Sequence, residues 1–377
     1  MKPRIIILGA GFGGLEIATI LSEQMGDGLD IKLIDKHDSF YFGFSKLDVM
    51  FGRMPAEQAR HAYARIAKPG LTFIRETVTA IDPVRKQVTT SRGIHEADML
   101  VIALGADLDV SATPGLATGG DEFYSMEGAE RLREKLPAFN SGHAIVGVCS
   151  APFKCPPAPS EAALMLHDHL VARGIRSNCE ISLVIPFGLP VPPSPETSEV
   201  LLRSFAERNI RFIPNRRVAS IDPDRKSASL DDGTELPFDL FLGIPKHVAP
   251  AVVQQSGLTD NGWIAVDRKN LMTKFPDVYA VGDITSVGTP KAGVFAEGAA
   301  RVAAASILAK LAGREHEDPY TGAGSCYLEF GEGKVARVDV DFFSGPKPFG
   351  VHNEASVAIT AEKTIFGSSR VSRWFGD

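Results

Sequence analysis

The sequence predicts an α/β fold: two parallel-sheet units in tandem, closed by a small strand-rich C-terminal cap. Three observations predict it. The run Arg4 to Leu8 is almost wholly apolar and leads directly into Gly9-Ala10-Gly11-Phe12-Gly13-Gly14. A stretch from Phe73 to Ile102 has a counterpart about 140 residues later, from Phe212 to Leu242. A second Gly-Asp pair, Gly282-Asp283, follows a short buried strand late in the chain and precedes a long Ala-rich helix.

The first unit is justified element by element. An unbroken apolar run marks a strand buried on both faces of a parallel sheet. After the glycines, Leu15, Ile17, Ala18, Ile20 and Leu21 recur at helical spacing, and a second apolar run, Ile31 to Ile34, ends on Asp35. Strand, glycine turn, helix, strand and acid is the opening of a dinucleotide-binding unit. Gly9 permits the tight turn, Gly11 lets the backbone approach a pyrophosphate, and Gly14 lets helix and strand pack closely. The helix N-terminus favours the negative charge, and Asp35 accepts hydrogen bonds from an adenosine ribose.

The repeat extends the prediction. Ile81-Asp82-Pro83-Val84-Arg85-Lys86 is matched by Ile221-Asp222-Pro223-Asp224-Arg225-Lys226. The turns Ser91-Arg92-Gly93 and Asp231-Asp232-Gly233 match likewise, and each copy then places an Asp before a buried strand. The period is far too long for a solenoid, so the pattern reads as two tandem Rossmann-like dinucleotide-binding domains. The second opens at the strand His143 to Val148, with a helix expected from about Ser160 to Arg173. A further helix is expected from about Ala292 to Leu311, and the last sixty or so residues read as a strand-rich cap.

Composition excludes several classes. With 44% hydrophobic and 23% charged residues the chain is too apolar to be disordered. A net charge of -6 with no basic block gives nucleic-acid binding no electrostatic support. No apolar run approaches the ~20 residues of a membrane-spanning helix. The chain starts straight into a strand, so it is expected to be cytoplasmic, and peripheral at most to a membrane. Four cysteines make no disulfide scaffold and matter, if at all, by reactivity. His37, His247 and the pair His167/His169 suggest no metal site, because two residues apart on a helix point to different faces.

Gly282-Asp283 selects the dinucleotide. One such unit does not need a second Gly-Asp about 250 residues after Asp35; a flavin does, because its ribityl chain extends beyond the adenosine site. The order of Gly9 to Gly14, Ala103-Leu104-Gly105-Ala106, a second domain and Tyr279-Ala280-Val281-Gly282-Asp283 resembles the pyridine nucleotide–disulfide oxidoreductases, glutathione-reductase-like flavoproteins with two dinucleotide domains. The resemblance implies FAD held by Gly9, Gly11, Phe12, Gly13, Gly14, Asp35 and Lys36 at one end. Ala103, Gly105, Gly282, Asp283, Lys291, Ala292 and Gly293 hold it at the other, with Asp283 on the ribityl hydroxyls. On this reading residues 1–115 and 260–315 form the FAD-binding domain, 116–259 the second domain and 316–377 the cap.

The second domain departs from its superfamily. Where a glycine turn belongs, the chain reads Cys149-Ser150-Ala151-Pro152-Phe153-Lys154-Cys155-Pro156-Pro157-Ala158-Pro159-Ser160-Glu161. Four prolines occupy the loop that should offer N–H donors, and proline has none. The strand Ile181 to Ile185 ends in Pro186-Phe187, without an acid for NAD ribose or an arginine for an NADP phosphate. The nicotinamide site is therefore expected to be degenerate.

Phe153-Lys154-Cys155-Pro156-Pro157-Ala158-Pro159, Pro290 to Glu297 and Cys326 resemble the sulfide:quinone oxidoreductases and the flavoprotein subunit of flavocytochrome c sulfide dehydrogenase. By that resemblance Cys155 and Cys326 form a redox pair against the flavin, oxidising sulfide or a related sulfur compound and passing electrons to a quinone or other acceptor. Lys291 and the adjacent helix terminus stabilise reduced flavin. Glu161 has two readings, a proton acceptor or an ordinary first-turn acid, while Cys149 and Cys179 read as buried small residues. Trp374-Phe375, beside Arg370 and Arg373, suits a membrane surface, a plug on the flavin or a homodimer seam. Two other functions fit the same fold: an NAD(P)H-dependent flavin reductase, and a flavin-binding protein without turnover.

Overall fold

In the computed structural model, which describes residues 2–376, the first sheet has five parallel strands. Their order is Val278–Ala280, Met99–Ile102, Arg4–Leu8, Asp30–Asp35 and Leu71–Arg75. Ile5 and Ile7 face a cluster with Ile17, Leu21 and Ala300; Ile6 and Leu8 face another with Ile81, Val88 and Ile264. With both faces covered, the strand has no polar side, which explains its unbroken apolar run.

The second sheet repeats this order strand for strand: Asp121–Glu122, Leu240–Ile244, Gly142–Val148, Cys179–Val184 and Ile210–Ile213, again all parallel. The matched sequence stretches become matched three-stranded meanders, Val78–Asp82/Gln87–Thr90/Ile94–Glu96 and Val218–Asp222/Ser227–Leu230/Glu235–Pro237. Each has a register shift near its start, at Val78/Ala80 and Val218/Ser220. The turns agree in detail. Asp82 Oδ1 accepts from the N–H groups of Val84 and Arg85, as Asp222 Oδ1 does from Asp224 and Arg225. Lys86 and Lys226 then both take left-handed φ values, 53° and 47°.

The two anticipated helices form at Ala158–Ala172 and Gly293–Leu311. The cap holds the expected strands, Gly324–Gly331, Lys334–Asp341 and Phe349–Ser356, paired antiparallel. It also holds a helix that the sequence reading did not assign, Val357–Phe375. Its start and stop signals were present: Ser356 Oγ accepts from Ile359 N, and Gly376 ends the helix at φ 76°.

That helix corrects the reading of the C-terminus. Trp374 and Phe375 are 0% and 2% exposed, so neither is free to meet a membrane or a second copy. Trp374 sets its ring edge-on to Phe12 at 5.5 Å, and its Nε1 donates to Glu16 Oε2 at 2.9 Å. Arg373 and Arg301 also donate to the buried Glu16, and Arg370 donates to Glu297. Burial pushes the Glu16 carboxyl up, but the bonds from Arg373, Trp374 and Arg301 bring it below the usual range. Among the described residues no helix is long and apolar enough to cross a membrane.

Candidate functional site

The glycine turn lies where the first sheet changes direction, between the carboxyl ends of Arg4–Leu8 and Met99–Ile102, the usual place for a ligand on an open α/β sheet. Gly9 has φ 94°, and a Cβ on it would stand 2.4 Å from Ala103 O. A Cβ on Gly14 would stand 1.8 Å from Gly9 O, so neither position admits a side chain. Gly11 instead faces open space within 4 Å. The helix Phe12–Met25 has no side-chain cap and no acid in its first turn, which leaves its N-terminus suited to an anion.

Asp35 serves the loop as well as any ligand. Its Oδ2 accepts Ala10 N at 2.8 Å and its Oδ1 accepts His37 N at 2.8 Å. Burial pushes the Asp35 carboxyl up, but the His37 ring and these N–H bonds bring it below the ordinary value. Lys36 beside it is exposed.

At the far end, Gly282–Ile284 forms a one-turn helix that presents Asp283. Burial raises the Asp283 carboxyl against the pull of Lys154, Lys291 and Lys46. Lys291 is 6% exposed; its Nζ donates to Asp283 O at 2.5 Å and to Thr285 O at 3.2 Å, and lies 3.3 Å over the Trp263 ring. Burial pushes this ammonium down to about 8. Ala292 caps the following helix with its backbone, and Gly293 at the first turn packs against Phe12, where a Cβ would be 2.7 Å from the ring.

The proline loop joins this end of the site. Lys154 pairs with Lys291 in a parallel bridge, and Cys155 N donates to Lys291 O at 2.7 Å. Cys155 has φ 50°, a left-handed conformation that costs a non-glycine residue roughly 1–2 kcal/mol, and its own carbonyl accepts Ala158 N. Cys326 comes from the cap strand Gly324–Gly331, opposite Val338. Both thiols pack against the same core, and each interacts electrostatically with Glu161; Cys155 also feels Cys326. Burial pushes Cys155 well up, and Cys326 up to about 12. All four cysteines are free thiols, with Cys149 and Cys179 buried.

Glu161 sits in the first turn of Ala158–Ala172 but is only 4% exposed, and its Oε1 accepts Glu329 N at 3.1 Å. Burial raises it to about 7, a value suited to exchanging a proton near neutrality.

Sequence reasoning missed a second ring of residues. Lys46 donates to Tyr124 O at 2.6 Å, and burial together with Lys154 pushes it down to about 8. Tyr124, whose hydroxyl has no partner, interacts with Cys155 and Glu161 and sets its ring 5.2 Å from that of His247. His247 is 3% exposed; Nδ1 bonds Pro245 O at 2.9 Å and Nε2 has no partner. Burial and Lys154 push it down to about 3, so it is neutral. No local motif announces these residues. Only the adjacency of Lys154 to Cys155 was a signal.

These features fit FAD. A side-chain-free turn and an uncapped helix suit its diphosphate, and a half-buried carboxylate suits its ribityl hydroxyls. Three lysines facing that one carboxylate, with two orphaned buried polar atoms nearby, suit the polar edge of its ring. A separate cavity of about 510 Å³ opens between the helix Gly293–Leu311, the Cys326 strand and the C-terminal helix, with Val294, Tyr327, Ile365, Phe366 and Arg370 among its walls.

Comparison with known proteins agrees with this geometry. The profile of the pyridine nucleotide-disulphide oxidoreductase family matches residues 3–306. The sulfide-quinone reductase of Aquifex aeolicus is 30% identical over 363 residues, covering 88% of this chain and 82% of that protein. The mitochondrial sulfide:quinone oxidoreductase of Mus musculus is 23% identical over 361 residues, covering 91% and 79%. The crystal structure of the Aquifex aeolicus sulfide:quinone oxidoreductase superposes with a TM-score of 0.88 at 24% identity, covering 99% of this chain and 92% of that one.

Proposed function

The chain belongs to the pyridine nucleotide-disulphide oxidoreductase family, in the branch of the sulfide:quinone oxidoreductases, and from that premise we propose that it oxidises sulfide through Cys155 and Cys326 and delivers the electrons to a quinone. It is a flavin-dependent oxidoreductase, as members of its family are. The observation that carries the finer reading is the bond from Cys155 N to Lys291 O at 2.7 Å, which ties the cysteine loop to the segment leading into the flavin-side helix.

Bound FAD would supply the two-electron acceptor for the sulfurs. The chain's own residues do the rest. Cys155 and Cys326, free thiols in this structure, would enter the cycle joined as a disulfide, their two electrons taken by the acceptor that FAD would supply. Hydrosulfide then attacks one sulfur; a new S–S bond forms there, the old one breaks, and the other cysteine leaves as a thiolate. The remaining S–H proton goes to Glu161. Lys291, Lys154 and Lys46 offset negative charge accumulating on this side. The cavity beside the C-terminal helix, where Val294, Ile365 and Phe366 stand among Glu297, Arg301, Glu362 and Arg370, is the place we propose for the quinone.

Anaerobic spectra test this reading. Sulfide is expected to bleach the flavin band near ~450 nm while NADH and NADPH leave it unchanged. Bleaching by a nicotinamide alone would identify a reductase instead, and bleaching by neither a flavin protein without turnover.

A further inference from the structure

Glu161 is not the only buried charge beside the thiols. Glu329, on the strand that carries Cys326, and Lys363, on the C-terminal helix, are 6% and 8% exposed. Lys363 Nζ donates to Glu329 Oε1 at 2.6 Å, and Arg53 Nη1 donates to Glu329 Oε2 at 3.1 Å. Arg53 in turn lies 3.7 Å from Asp48. The main-chain N–H of Glu329 is the donor to Glu161 Oε1. One strand thus supplies a thiol and, three residues on, the group that holds the nearby carboxyl.

A buried ion pair is a poor stabiliser. Its desolvation cost commonly matches its attraction, and apolar residues of the same size would fill the space as well. The charges here face something that titrates. Around Glu161 stand Lys363 from the C-terminal helix, Glu329 from the cap strand and Asp48 from the helix Ser45–Met50. Cys155 and Cys326 complete the shell with the Tyr124 hydroxyl.

We propose that the Glu329–Lys363 pair consists of positioning residues that set the charge on Glu161, and with it the readiness of Glu161 to take the proton released at the Cys155 and Cys326 sulfurs. Only the last clause rests on the sulfide-oxidising reading. In that step the S–H bond breaks, its electron pair stays on sulfur, and the proton ends on a Glu161 carboxylate oxygen. The ammonium favours the ionised carboxylate and Glu329 opposes it, so the two partners act with opposite signs.

The test is an infrared pH titration of the flavin-loaded protein, following the carbonyl stretch of protonated Glu161, assigned by its loss in Glu161→Gln. Lys363→Met is expected to move the midpoint up by about one pH unit or more, Glu329→Gln to move it down, and Lys363→Arg to leave it near the original value. The acid limb of sulfide-driven flavin reduction is expected to shift in the same two directions. A residue that merely supports the fold would lower the rate at every pH without moving the midpoint. Midpoints unchanged in both variants, or no titrating band at all, would overturn the proposal. Should Lys363→Met fold poorly, the near-isosteric Glu329→Gln still decides it. If sulfide fails to reduce the flavin, the catalytic reading falls while the infrared midpoints still judge the pair.

Discussion

The two sheet units share strand order, meander, register shift and even the left-handed lysine in the turn, yet only the first keeps a dinucleotide loop. In the first, Gly9 and Gly14 strip the loop of side chains and leave a helix N-terminus open. In the second, the helix starts at Ala158 behind Pro157, with Pro159 in its first turn, and the N–H groups of Ser160 and Glu161 turn back to Pro157 O. Pro152, Pro156, Pro157 and Pro159 remove four N–H donors from this loop, and Cys155 N is engaged by Lys291 O. Topology conserves the platform; the loop after the central strand decides what stands on it. In the second unit that loop delivers a thiol.

The largest expected effect breaks the comparison at that thiol. Cys155→Ser is expected to retain flavin but lose at least about a thousandfold in its rate of sulfide-driven reduction, read by anaerobic stopped flow. Cys149→Ser, in the same loop but buried at the strand end, is expected to change it less than about threefold. If the two behave alike, the proline loop is not a thiol carrier. On the first unit's side, Gly14→Val drives a branched side chain into Gly9 O, and the purified protein is expected to lack the yellow cofactor spectrum.

The next effect concerns the strap that only the first unit has. Trp374→Ala removes a fully buried indole and its bond to Glu16, and about 3–5 kcal/mol of stability is expected to go with it in denaturant titrations. A loss below about 1 kcal/mol would mean the C-terminal helix lies loosely on the first unit. The smallest effect is electrostatic. Lys291→Met withdraws a buried cation from the flavin end, and a flavin midpoint potential lower by on the order of 30 mV is expected, equivalent to about 1.4 kcal/mol. Because burial brings Lys291 down to about 8, the difference from the unaltered protein is expected to fade as pH rises through 8. A difference constant with pH would place the Lys291 charge elsewhere.

How much was legible in the sequence follows from distance along the chain. Gly9 to Gly14 with Asp35 form one local unit, and the meander repeat is written in turn residues whose chemistry acts within three positions. Cys155 and Cys326 were reached through a resemblance, since they stand 171 positions apart in the sequence. Lys46, Tyr124 and His247 were not legible, because the fold alone brings them together and each has an unremarkable neighbourhood. The C-terminal helix was overlooked because Lys363 and Arg370 interrupt its apolar positions, and the structure shows why: both are turned inward onto carboxylates.

The fifth strand of the first sheet, Val278–Ala280, comes from beyond the whole second sheet, whereas the second takes its fifth from Asp121–Glu122, ahead of its other four. The second unit is therefore nested inside the first, like a parenthesis within a sentence. During synthesis all five inner strands have been made once residue 244 is added, while the outer sheet still waits for Ala280 and its strap for Trp374. The sheet begun first is completed last, yet the inner unit's core also waits for the cap, whose Leu328, Ala336 and Val338 pack into it, so neither unit closes before the cap is made.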